Sequence, residues 1–138
     1  PSQCGRYASR ISGPLLDRID LHITVPRLKP EELMGQEPGE PSAEIRKRVQ
    51  AARSRQHQRL GGSRINAKMT PREIRDDLEL SGECTDFLKL ISHRMNLSAR
   101  VFDRIQKVAR TIADLDASGP IEKRHLSEAV QYRERTEF

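Results

Sequence analysis

The stretch Leu97–Leu115, LSARVFDRIQKVARTIADL, decides the fold class. Val101, Ile105, Val108, Ile112 and Leu115 recur at i, i+4, i+7, i+11 and i+14, which gathers apolar side chains on one stripe of an α-helix. Ser98 stands where an N-cap is needed, because its hydroxyl can accept one of the backbone N–H groups that the first turn leaves unpaired. A helix with one apolar stripe has to bury it against other elements.

Downstream, the turn at DASGP leads into a helix expected from about Glu122 to Arg133, with Leu126, Ala129 and Val130 facing inward. Upstream, a helix is expected over roughly Cys84 to Met95, with Phe87, Leu88, Ile91 and Met95 on its apolar side and Asn96 ending it. Thr70 followed by Pro71 gives the cap-then-proline start of a shorter one. Ser42, as an N-cap, opens SAEIRKRVQAARSRQHQRL, where Ile45, Val49, Ala52 and Leu60 keep helical spacing until Gly61 and Gly62 stop the helix. This helix carries Arg46, Lys47, Arg48, Arg53, Arg55 and Arg59 against one glutamate, so a broad face is positive.

The N-terminal part reads differently. In SGPLLDRIDLHITVP, Ser12 to Pro26, residues 13–18 suit a short helical turn, and Asp20 to Val25 alternate as a half-buried strand would. A single strand is not stable alone, so its sheet is expected outside this sequence or from another chain, and this N-terminal part is expected to be largely mobile without it. RLKPEELMGQEPGEP, residues 27–41, has the composition of a linker or insertion loop. The expected architecture is mainly α: residues 1–26 as a turn and strand, 27–41 as a loop, and 42–138 as a helical domain.

Composition narrows the classes of function. Of the 138 residues 35% are hydrophobic and none is tryptophan, so the core is built from Leu, Ile, Val and Ala. A net charge of +5 permits weak binding to polyanions, although a solvated cationic surface fits equally. Cys4 and Cys84 form no CxxC pair, and His22, His57, His93 and His125 show no ligand spacing, so neither a disulfide framework nor a metal site is expected. The sequence shows no membrane span and no signal-peptide layout, which makes a cytoplasmic location the expectation. Neither GxxxxGKS/T nor GxGxxG occurs, so this stretch holds no phosphate cradle of its own.

Two arginines stand out. Arg18 lies at the junction of turn and strand between Asp17 and Asp20, where it either projects as a functional group or pairs locally with those aspartates. Arg100 lies in the first turn after Ser98, where the helix dipole disfavours a cation by up to about 1 kcal/mol. Either Asp103 offsets it at i, i+3, or an anion such as a nucleotide phosphate meets it from elsewhere.

The strings RYASRISGPLLDRIDLHITVP, SAEIRKRVQAARSRQHQR, NAKM and LSARVFDRIQKVARTIADLDASGPIEKRHLSEAVQYR together resemble the C-terminal third of magnesium-chelatase-like AAA+ ATPases of the ComM/YifB type. The resemblance runs in order over most of residues 6–133. It implies that residues 1–26 are the C-terminal edge of the αβα ATPase core and that 42–138 are the helical lid. Arg18 matches the position of an arginine finger acting on ATP held by the neighbouring subunit, and Arg100 matches the sensor-2 arginine directed at the γ-phosphate.

The same resemblance implies ATP and Mg2+ as cofactors of the longer protein, bound at Walker segments upstream of residue 1, so that these residues alone would be monomeric, inactive and without tightly bound nucleotide. It further implies a ring, hexameric in form, and DNA as the partner in helicase or branch-migration work. A chelatase-type remodelling subunit is the alternative enzyme. A nonenzymatic module is the third reading, in which Arg46, Lys47, Arg53 and Arg55 make weak phosphate contacts to DNA.

Overall fold

In a computed structural model, the structure describes Leu15, residues 18–30, Gly35 and residues 39–133. Among the described residues five α-helices carry the fold: α1 (Ser42–Leu60), α2 (Pro71–Asp77), α3 (Gly82–Met95), α4 (Ala99–Leu115) and α5 (Lys123–Gln131), with a 3-10 turn at Asn66–Lys68 between α1 and α2.

The helix boundaries follow local chemistry. Ser98 caps α4, its hydroxyl accepting from the Val101 N–H at 3.3 Å. At α2 the Thr70 side chain accepts from the Glu73 N–H, while the Glu73 carboxylate accepts from the Thr70 N–H at 2.7 Å, a reciprocal capping box. The Thr70 backbone hydrogen bond and the Arg64 guanidinium hold the Glu73 carboxyl down to about 2. Ser81 caps α3, which begins two residues earlier than expected, and Asn96 ends it in the left-handed region at φ 47°. Gly61, at φ 78°, ends α1 in a conformation that a side chain would strain. Ser42 is itself the first residue of α1, with Pro41 in the cap position.

The core forms where α4 meets its neighbours. Ile105, Ala109 and Ala113 of α4 are fully buried and pack with Ile74, Leu88, Leu126 and Ala129 from the other helices. Helix α1 is attached more lightly, because Ile45 and Val49 are exposed and Ala52 is the one apolar residue of that helix fully covered.

What α1 lacks in apolar contact it gains in polar contact. The carboxylate of Asp114, buried near the end of α4, accepts from both terminal nitrogens of Arg59 at 2.8 Å and from the Asn66 side-chain amide at 2.8 Å, and Arg110 pairs with it at 3.1 Å. Asn66 in turn receives Arg59 and donates its backbone N–H to Gln56, so the 3-10 turn is locked between α1 and α4. Burial pushes the Asp114 carboxyl up, but Arg59, Asn66 and Arg110 outweigh that and hold it below its ordinary value.

Residues 20–25 do not form the expected strand. They run without regular secondary structure, and no sheet occurs among the described residues; the one pairing of strand type is an isolated parallel bridge between Leu80 and Ile121. With no ladder to join, the backbone turns to the helices. The His22 N–H donates to the Tyr132 carbonyl at 2.8 Å, and Arg133 donates to the Ile19 carbonyl. The apolar alternation therefore stays uncovered, with Ile23 68% and Val25 86% exposed. Of the expected turn over 13–18, most lies outside the described residues, as does Cys4; what is described is the Arg18 N–H donating to the Leu15 carbonyl at 3.0 Å.

Candidate functional site

Arg100 sits on the first turn of α4, exposed, where Ser98 rather than a carboxylate satisfies the helix end. The pair with Asp103 does not form, and neither residue enters an ion pair among the described residues. A guanidinium at the positive end of a helix gains nothing from the helix dipole, so its charge is left available to an anion. The arrangement is compatible with a nucleotide phosphate, and no group of three His, Cys, Asp or Glu side chains that could bind a metal occurs among the described residues.

Arg18 is likewise exposed. Its neighbour Asp20 is engaged elsewhere, pairing with Arg104 of α4 at 2.7 Å, while Asp17 lies outside the described residues. No contact joins Arg18 to Arg100 among the described residues. Arg104 stands four residues after Arg100 on the same face of α4, and its partner Asp20 stands two residues after Arg18.

The four cations expected to touch DNA divide. Arg46 and Arg53 are exposed and without ion pairs among the described residues. Lys47 pairs with Glu44 at 2.7 Å on the same helix. Arg55 turns inward and donates to the Asp114 carbonyl at 2.9 Å, drawn by the negative carbonyl end of α4. Arg59 follows it inward, so the outward positive face of α1 is narrower than its composition indicates.

Residues 39–133 match the family model of the C-terminal region of magnesium chelatase subunit ChlI. The chain belongs to this family. Residues 1–33 match the model of magnesium chelatase subunit ChlI. Arg18 thus falls in the first matched segment and Arg100 in the second. Among relatives, the YifB protein of Escherichia coli K12 is 44% identical over 135 residues, and competence protein ComM of Haemophilus influenzae is 42% identical over 134 residues. Each comparison covers 96% of this chain and 26% of the relative, so the chain spans about a quarter of the length of these curated relatives. No helix among the described residues of this magnesium-chelatase-family chain is long and apolar enough to cross a membrane.

Sequence reasoning missed Arg104, which pairs with the segment bearing Arg18, and Asp114, which seats α1 on the far end of α4. Arg104 gave no signal in isolation, since its partner is 84 positions away in the chain. Asp114 did carry a signal: it follows Arg110 at i+4 and borders the apolar stripe, a place where an opposite-charge pair is expected to be buried.

Proposed function

We propose that this chain is the lid and arginine-finger portion of a larger ring-forming ATPase whose motor acts on DNA. The observation that carries the reading is Arg100, a cation without an ion pair among the described residues on the first turn of the best-packed helix. Membership of the magnesium chelatase ChlI family supports it, with Arg18 and Arg100 falling in the two matched segments.

In this reading ATP and Mg2+, held by the longer protein, supply the phosphoryl group and its charge neutralisation. Arg100 meets the terminal phosphate from the lid of the subunit that holds it. Arg18 reaches the same nucleotide from the neighbouring subunit and neutralises charge that develops on the phosphoryl oxygens, an effect worth roughly 10³ to 10⁵ in rate where it has been isolated. Because each site then needs two subunits, hydrolysis is tied to ring assembly. DNA as the substrate is favoured by the exposed Arg46 and Arg53 and by the likeness to a competence protein, ComM. Chelatase-type remodelling of another partner is the competing reading, favoured by the family description itself.

The deciding experiment is ATP hydrolysis by the full-length protein, with and without single-stranded or branched DNA, beside its Arg18→Ala and Arg100→Ala variants. Turnover that rises with DNA and falls by roughly 10³ in Arg18→Ala with ATP binding intact supports the DNA motor. Wild-type turnover in Arg18→Ala removes the finger, and hydrolysis indifferent to DNA transfers the reading to remodelling of a non-DNA partner.

A further inference from the structure

Among the described residues, polar contacts fasten the segment bearing Arg18 to the helical body. Asp20 pairs with Arg104 of α4, the His22 N–H donates to the Tyr132 carbonyl just past α5, and Arg133 donates to the Ile19 carbonyl. The two arginines are covered, Arg104 with 22% of its side chain exposed and Arg133 buried, while the Asp20 carboxylate is 57% exposed. Beneath the segment an open cleft of about 290 Å3, bordered by Leu21, Val108, Ile112 and Tyr132, leaves the apolar contact incomplete. Leu21, which borders that cleft, is still 45% exposed. Arg104 on α4 and Arg133 just past α5 therefore hold this strap through a charge pair and backbone hydrogen bonds, an attachment that can be rearranged without opening the core.

We propose that Arg104 is a positioning residue: through Asp20 it holds the strap that presents Arg18, so that displacement of α4 when Arg100 engages an anion moves Arg18 with it. This inference rests on the functional reading above and adds to it a mechanical link inside one subunit. Arg100 and Arg104 are one turn apart on α4, whose Ile105, Ala109 and Ala113 are fully buried, so a displacement of that helix carries both side chains together. Asp20 lies two residues from Arg18, leaving little slack in the chain between the strap's anchor and the finger. A nucleotide sensed in one subunit would thereby set the finger offered to the next.

The test has two arms. In hydrogen exchange on this chain, Asp20→Asn and Arg104→Gln should each speed exchange of the His22 amide by about fivefold, the equivalent of an ion pair of this exposure. Arg104→Lys, which keeps the charge, should stay close to wild type, and the thermal midpoint should hold in Asp20→Asn because that carboxylate is outside the core. In the full-length protein, Asp20→Asn should lower kcat for ATP hydrolysis severalfold with KM unchanged, the mark of a misplaced finger and not of a lost binding contact. Unchanged His22 exchange in both variants overturns the strap. Unchanged kcat in Asp20→Asn, in a protein where Arg18→Ala and Arg100→Ala do lose hydrolysis, overturns the link while leaving the functional reading in place. Full hydrolysis in Arg18→Ala and Arg100→Ala overturns the reading and the link together, whatever the exchange shows.

Discussion

Asp114 concentrates more of the structure on one side chain than any residue that sequence patterning singled out. Its carboxylate is fully buried and receives Arg59, Asn66 and Arg110. Replacing it by alanine leaves two guanidiniums facing each other with no counter-charge, and breaking a buried pair from one side costs about 3 to 5 kcal/mol. Asp114→Ala should therefore lower stability by at least about 3 kcal/mol in chemical denaturation, far more than the loss of a surface pair such as Lys47–Glu44. The pH dependence follows from the sign of the shift. The folded carboxyl lies below its ordinary value of 3.8, so its contribution is complete above that value and disappears as pH falls through the lower, folded one. Stability measured between about pH 5 and 2 should fall in the wild type, and Asp114→Ala should flatten that limb. An acid limb that is equally steep in the variant would assign it to other carboxylates.

At the scale of elements, α4 is the axis and α1 an arm clipped to it. Ile105 is fully buried at the middle of α4, and truncating such a residue to alanine costs about 2 to 5 kcal/mol because the surroundings collapse incompletely. Ile105→Ala should lower the thermal midpoint sharply, whereas Val49→Ala on exposed α1 should shift it little; equal effects would mean that α1 belongs to the core after all. The contrast also explains what the sequence revealed. Helix α4 was legible to the residue because period, cap and stripe agree, and Gly61, Thr70–Pro71 and Asn96 marked their boundaries through backbone chemistry that acts locally. The seat of α1 was not legible, since Ile45 and Val49 kept the helical period while Arg55 and Arg59 did the attaching, over contacts 55 to 59 positions long. The alternation at 20–25 predicted a strand because alternation reports which faces could be covered and not whether a partner strand is at hand.

Across the whole molecule, Arg18 and Arg100 have no contact with each other among the described residues, and this separation makes the division of labour between subunits testable without any new structure. If Arg100 serves the nucleotide of its own subunit and Arg18 serves the neighbour's, an Arg18→Ala subunit and an Arg100→Ala subunit are each defective for a different reason. Mixed in one ring, a site is complete wherever an Arg18→Ala subunit holds the nucleotide and an Arg100→Ala subunit supplies the finger. In a head-to-tail ring assembled at random from equal amounts, that arrangement arises at about a quarter of the interfaces. Mixing two nearly inactive full-length variants should therefore restore at most roughly a quarter of wild-type hydrolysis per site, and less where an Arg100→Ala subunit no longer sets its own finger, rising and falling with the mixing ratio and vanishing if the rings are prevented from exchanging subunits. Were both arginines to act on the nucleotide of their own subunit, no mixture would contain a complete site, and activity would stay at the level of the two variants measured separately.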